Sequence, residues 1–299
     1  TPMLEKFAQK ATVYHRHYAA GNFTTPGTAS LLSGVYPWAH RAINYYGTTT
    51  PFFADQNLFS LLAGSYHNFF YTHNPLAYKL VYPFRKHIER FVRVSDWGLD
   101  SNSPTQILFQ DDFVTAYDAE YFLFRSLETL PGSVFLSALN RRFEHGLHSQ
   151  ELNRQYRQQF PDGLPASPYM LFTLQDTFEH LYRHLLSQTA PYLGYVHVLP
   201  PHGPYNTKSE FNGRFTDDLV FPEKPVHVLA ENDFPPDGLA ILRRKYDEFI
   251  LYTDAEFGSL YQRLDEQGLL ENTYLIVTSD HGEMFERGTW SHFTSVLYE

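Results

Sequence analysis

Apolar positions along the chain follow two rhythms. Between residues 236 and 267 they recur at helical spacing: Ile241, Tyr246, Phe249, Ile250, Phe257, Leu260, Tyr261 and Leu264 form one stripe, and Gly268 stops it. That predicts a long amphipathic helix. Elsewhere the apolar runs are short and continuous. Residues 67–72, 192–198 and 274–277 read as strands, the last two buried on both faces. Residues 1–10 predict a short helix with Thr1 as cap and Pro2 in the first turn. A second helix begins at Thr24-Thr25-Pro26, with Pro26 in its first position and Thr25 as its cap, and Gly34 with Pro37 ends it. A third covers residues 59–63 and breaks at Gly64. Residues 81–186, with helical stretches around 117–127 and 171–186, read as a partly helical insertion. Asp111 and Asp112 within it read as solvated helix-start residues.

Helices alternating with short apolar strands predict an α/β fold on a mostly parallel sheet. In such sheets ligands bind beyond the carboxyl ends of the strands. The polar clusters at His202 and at Asp280-His281 follow two of the predicted strands directly.

Composition narrows the function classes. The chain has 299 residues, 43% hydrophobic and 19% charged, enough for a sizeable core and unlike a disordered or collagen-like sequence. No apolar run approaches the ~20 residues of a membrane span. A formal charge of −10 argues against a nucleic-acid or anionic-membrane partner. The absence of cysteine excludes disulfides, zinc–thiolate sites and thiol catalysis, and leaves the redox compartment open. The 15 histidines are material for metal or acid–base sites. The chain opens at Thr1-Pro2 and closes at Tyr298-Glu299 directly after a motif-rich stretch, so both ends read as cut.

Three clusters carry candidate chemistry. In Ser279-Asp280-His281-Gly282-Glu283 a carboxylate and an imidazole adjoin, a pair suited to zinc, manganese or calcium-like cations according to the remaining ligands. The alternative is a plain turn after a strand. In the second cluster, Thr24 and Thr25 stand at a helix N-terminus, where unsatisfied N–H groups and the dipole favour a phosphate or sulfate. Thr24 can point into a cleft as a nucleophile if a cation activates it; the pair can equally be an N-cap. The third cluster is His197-Val198-Leu199-Pro200-Pro201-His202-Gly203-Pro204-Tyr205 with Trp290-Ser291-His292. His197 lies within a strand and reads as a core histidine. His202 and His292, in loops, are candidates for substrate or metal contact.

Together these segments resemble the sulfatase family of the alkaline phosphatase superfamily. Thr1-Pro2-Met3-Leu4-Glu5-Lys6-Phe7-Ala8 is similar to its TPNLDxLA opening. Thr24 to Pro37 (TTPGTASLLSGVYP) is similar to its nucleophile signature, C/S-x-P-x-R-x-x-L-L-T-G-x-Y-P. Pro201-His202-Gly203-Pro204-Tyr205 resembles its PHxPY loop. Thr278 to Glu283, with Tyr252-Thr253-Asp254 in the preceding helix, resembles its metal motif, and Leu297-Tyr298-Glu299 its LYE. The resemblance implies one catalytic domain over residues 1–299, cut at both ends: a three-layer α/β/α sandwich that hydrolyses or transfers a sulfate or phosphate ester. It puts Thr24 at the nucleophile position and Asp280 and His281 among the metal ligands, with Thr24 facing the ion. His202 falls on a histidine that contacts the ester. His40, His292 and Thr28 fall at or near further substrate-binding positions. The substrate class is a small-molecule, glycan or lipid ester, and family habit places the protein outside the cytoplasm.

Departures from the family pattern bear on the reaction. Sulfatases convert Cys or Ser to formylglycine, which Thr cannot form, so none is expected here. The signature Arg is Thr28, and Val35 replaces the basic residue expected after the Gly. Threonine nucleophiles do occur in superfamily branches that move phosphoglycerol or phosphoethanolamine groups through a phosphothreonine. The acidic metal ligands that the family carries on its first strand lie upstream of the TP opening, so the ligand set in this chain reads as incomplete. The main reading is a metal-dependent ester hydrolase or transferase; the other is a catalytically silent binder of an anionic ligand or partner.

Overall fold

The computed structural model describes residues 1–99, 146–167, 170–189, 191–216, 224–226 and 235–292. Its helices are α1 (Pro2–Ala8), α2 (Thr24–Ser33), α3 (Pro37–His40), α4 (Pro51–Ala54), α5 (Leu58–Leu62), α6 (Pro75–Val81), α7 (146–155), α8 (Leu174–Leu186) and α9 (Pro236–Glu266). The strands are β1 (His67–Thr72), β2 (Arg90–Phe91), β3 (Ala166–Ser167), β4 (Met170–Leu171), β5 (Tyr192–His197), β6 (Met284–Glu286) and β7 (Thr289–Ser291).

A parallel sheet in the order β2-β1-β5 forms the middle layer. Successive side chains of β1 point to opposite faces. Phe69 meets His184 of α8 at a ring separation of 4.5 Å, while Phe70 meets Phe59 of α5 and Tyr78 of α6, both at 6.4 Å. Tyr195 of β5 stacks on Phe70 at 5.9 Å. Both faces of β1 are therefore covered, which is why its whole apolar run is buried beyond His67. Helices flank the sheet on two sides, giving the expected α/β/α layering.

Helix α9 packs on α8 and on α1. Its buried face runs through Leu239, Phe249, Tyr252, Leu260 and Leu264, while Ile241 is 51% exposed and lies off the stripe. Asp254 in the middle of α9 is 2% exposed and accepts hydrogen bonds from the N–H groups of Met3 and Leu4, at 2.9 and 2.7 Å. It thereby satisfies two of the donors that open α1. Asp254 therefore docks a helix, with both carboxylate oxygens taken by α1.

The described parts of the expected insertion join the common core. Trp97, Phe160, Leu164, Met170, Phe172 and Leu181 belong to the same buried cluster as Phe70. The stretch at 171–186 is a helix only from Leu174, after β4. The predicted helix around 117–127 and Asp111-Asp112 lie outside the described residues.

One predicted strand is corrected. Residues 274–277 are not paired in any described sheet; Tyr274 is fully exposed and Ile276 82% exposed. An apolar run becomes a strand only where a neighbouring backbone completes its hydrogen bonds. Among the described residues β5 pairs with β1 alone, and none pairs with this run. None of the described helices is long and apolar enough to cross a membrane.

Candidate active site

The carboxyl ends of β1 and β5, the N-terminus of α2 and the loop before β6 converge on one group of side chains. Thr24 is the first residue of α2 and 2% exposed; Phe23 holds the cap position without a side-chain hydrogen bond. Pro26 therefore sits deeper in the first turn than expected. Its missing N–H costs nothing there, because the first four N–H groups of a helix have no acceptor within it. Thr25 is not the cap either: its hydroxyl donates to the Tyr45 carbonyl at 2.9 Å. The positive end of α2 is thus presented beside Thr24. At the other end Gly34, at φ 70°, closes α2 as the sequence predicted.

The Thr24 hydroxyl lies between two partners. Its Oγ1 accepts a hydrogen bond from Asn74 Nδ2 at 3.0 Å and stands 3.4 Å from Nε2 of His281. The other ring nitrogen of His281, Nδ1, is 2.8 Å from the Gly282 carbonyl. A carbonyl only accepts, so Nδ1 carries the hydrogen and Nε2 turns a lone pair toward Thr24.

Asp280 is the second anchor. Its Oδ2 accepts from Thr28 Oγ1 at 3.3 Å and lies 3.8 Å from Nε2 of both His197 and His281. Burial would raise the Asp280 carboxyl, but His197, His281 and hydrogen bonds from its own backbone and Thr28 outweigh it and hold the group below the ordinary carboxylate value. Gly27 makes the approach possible: a Cβ there would run into the Asp280 carbonyl oxygen.

His281 leads on to the remaining histidines. Its ring lies 4.5 Å from that of His292, which lies 4.8 Å from that of His202. His292 Nδ1 donates to Glu283 Oε2 at 3.0 Å, and Glu283 Oε1 accepts from Tyr205 OH at 3.3 Å. Trp290 Nε1 donates to the same Tyr205 oxygen at 2.8 Å. His202 gives its Nδ1 hydrogen to the Gly203 carbonyl at 2.6 Å. Burial, then His292, push the His202 pKa down, so its neutral form is favoured.

The structure thus gathers Thr24, His202, Asp280, His281 and His292. It treats Thr28 and His40 differently. Thr28 is fully buried and spends its hydroxyl on Asp280. His40 is also fully buried; its Nδ1 accepts from the Ala42 N–H at 3.0 Å and its Nε2 meets Ser30 Oγ at 2.9 Å. Both ring nitrogens are therefore used inside the protein, and burial lowers the His40 pKa. A cavity of about 340 Å³ lies beside α2, with Tyr18, Tyr36 and Asp280 among its lining residues. Thr24 does not line it.

Sequence reasoning misses Asn74, and it quotes Glu283 and Tyr205 within the motifs without giving either a role. Asn74 stands just beyond the carboxyl end of β1, the place where α/β sheets put their chemistry. That position was the signal that could have found it.

The profile of the sulfatase family matches residues 1–295. The chain belongs to the sulfatase family. In fold this sulfatase-family chain is similar to the phosphonate monoester hydrolase of Agrobacterium radiobacter, with a TM-score of 0.63 at 21% identity. It is also similar to the phosphonate monoester hydrolase SpPMH from Silicibacter pomeroyi, with a TM-score of 0.58 at 17% identity. Each likeness covers 99% of this chain, which spans 61% and 60% of those two chains. At such identities the likeness shows the fold alone.

The donor set fits a divalent cation in kind. Asp280 and His281 offer a carboxylate oxygen and an imidazole lone pair. Among the described residues no three His, Asp or Glu side chains converge as a metal shell, so this pair is a partial set.

Proposed function

We propose that this sulfatase-family chain is a metal-dependent hydrolase, or transferase, of sulfate or phosphate esters, with Thr24 as nucleophile. The observation that carries the reading is the placing of Thr24 Oγ1, buried at the positive end of α2 between a donor, Asn74 Nδ2 at 3.0 Å, and an acceptor, His281 Nε2 at 3.4 Å. A hydroxyl so held has its lone pair and its hydrogen both assigned.

The chemistry runs in two steps. Thr24 Oγ1 gives up its hydrogen and forms a bond to phosphorus or sulfur while the ester bond to the leaving alcohol breaks; the departing alkoxide takes up a proton, so none is gained or lost overall. Water, or a second alcohol, then attacks the phospho- or sulfothreonine and restores the hydroxyl. The N–H groups opening α2 stabilise the transferred anion. His202, neutral and with its Nδ1 hydrogen held by Gly203, is suited to take the proton from the incoming water or alcohol. Asp280 and His281 are the residues that would hold a divalent ion, with Thr28 orienting the carboxylate; the Nε2 lone pair of His281 that faces Thr24 would then turn to the ion. Such an ion, when bound, supplies neutralisation of charge developing on the ester oxygens. The natural ester is small-molecule, glycan or lipid; the two phosphonate hydrolases of similar fold add phosphonate monoesters to the classes to be assayed.

The test compares the protein with its Thr24→Ala variant on 4-nitrophenyl sulfate, phosphate, phosphodiester and phosphonate substrates. Zinc, manganese and calcium are added in turn, and their binding is followed by thermal shift. Loss of turnover in Thr24→Ala, with a substrate-derived mass adduct on Thr24 only in the unmodified protein, is the expected result. Equal turnover in both proteins overturns the nucleophile. Cation binding without turnover on any class returns the protein to the silent-binder reading.

A further inference from the structure

Asn74 has a double duty that its two amide atoms divide between them. Its Oδ1 accepts from the N–H groups of Leu76 and Ala77, at 2.9 and 3.5 Å, which makes it the N-cap of α6. A backbone N–H can only donate, so the cap fixes which end of the amide is oxygen. The Nδ2 end is left facing Thr24 Oγ1 at 3.0 Å and must donate to it. The backbone is fixed as well: the Asn74 N–H donates to Thr72 Oγ1 at 2.9 Å, and the residue is 5% exposed. Pro75 follows in the first position of α6, where its fixed φ suits the helix start.

We propose that Asn74 is a catalytic residue, a rigid hydrogen-bond donor that aligns the Thr24 nucleophile and stabilises its oxygen as the proton leaves. The inference rests on the reading of Thr24 as nucleophile. By filling one acceptor site on Oγ1, Asn74 turns the hydroxyl hydrogen toward the His281 side. As the hydroxyl loses that hydrogen, a neutral hydrogen bond becomes charge-assisted and strengthens, so the donor favours the reacting state over the resting one. The cap makes the donor precise: a side chain already locked by α6 loses no freedom when the reaction begins.

Two variants separate the donor from the cap. Asn74→Asp keeps an acceptor for Leu76 and Ala77 but has no hydrogen to give, and Asn74→Ser keeps a neutral cap with a side chain too short to reach Thr24. Both are expected to unfold at close to the original midpoint and to lose turnover on the order of 10- to 100-fold in kcat, with KM little changed. Asn74→Ala is expected to show the same kcat loss together with a lower unfolding midpoint. Unchanged kcat in Asn74→Ser overturns the proposal, and loss confined to Asn74→Asp does so too, since charge rather than a missing donor would explain it. Thr24→Ala is measured alongside. If it is as active as the unmodified protein, the nucleophile reading fails first; if it is inactive while Asn74→Ser is not, only the Asn74 inference fails.

Discussion

Glu283 Oε2 lies 3.0 Å from Nδ1 of His292, and the two side chains are 7% and 3% exposed. The second oxygen of Glu283 takes the Tyr205 hydroxyl, which itself accepts from Trp290. One buried carboxylate therefore ties β7 to the loop that carries His202, and it fixes the tautomer of His292. Glu283→Ala removes the acceptor from two buried donors and is expected to cost roughly 1–3 kcal/mol. Glu283→Gln can keep its oxygen on His292 while its amide donates to Tyr205, so it should lose less stability and less turnover. Urea unfolding and initial rates on the three proteins check the order. Equal rates for the two variants would mean that the charge, rather than the hydrogen bond, is what His292 needs.

Gly27 sets how closely α2 can approach Asp280. Replacing glycine by alanine inside a helix ordinarily stabilises by about 0.4–1 kcal/mol. Here the added Cβ would overlap the Asp280 carbonyl oxygen, a backbone atom that cannot swing aside as a side chain can. Overpacking of that kind costs about 1–3 kcal/mol, so the clash outweighs the propensity and Gly27→Ala is expected to be net destabilising. Turnover should fall further than stability, because the shift moves Asp280 away from Thr28. Denaturant midpoints decide the sign, and a stabilised variant would show that the Asp280 loop yields freely.

The sequence was most readable where one local signal decided the outcome. The β1 run and the Gly34 stop were placed as found. Helix α9 was also legible in extent, though Ile241 was put on the wrong side: with Leu239 and Leu242 so near, the buried arc could be drawn two ways. Thr24-Thr25-Pro26 fits a helix start in more than one register, since proline is tolerated across the first turn; the bond from the Gly27 N–H to the Phe23 carbonyl settles it, and Thr25 spends its hydroxyl on Tyr45. Residues 274–277 show the limit of apolar pattern, which reports what a segment prefers and not whether a neighbouring strand is there to pair with it. His40 shows another: a histidine near a motif can have both nitrogens claimed by Ser30 and Ala42, contacts that no spacing reveals. Asn74 escapes sequence pattern because its second partner is fifty residues away in the chain.

The acid limit of stability should trace to His73. The residue is fully buried at the end of β1, stacked on Phe172 at 3.9 Å. Its Nδ1 accepts from the Leu199 N–H at 3.4 Å, and its Nε2 meets Thr177 Oγ1 at 3.0 Å. Burial, reinforced by His197, lowers its pKa from 6.5 to about 3. The unfolded chain binds a proton on this ring below about pH 6.5, whereas the folded protein does not until about pH 3. The contribution is thus intact above pH 6.5 and is lost progressively as pH falls toward 3. The full gap corresponds to roughly 5 kcal/mol, a large share of the ~5–15 kcal/mol that holds a domain folded. His73→Asn cannot titrate, so its stability should fall less steeply between pH 7 and pH 4, although it starts lower for loss of the stacked ring. His40, His197 and His202, all with lowered pKa, leave a residual slope. Urea midpoints of both proteins across that pH range make the comparison, and parallel acid limbs would remove His73 from the account.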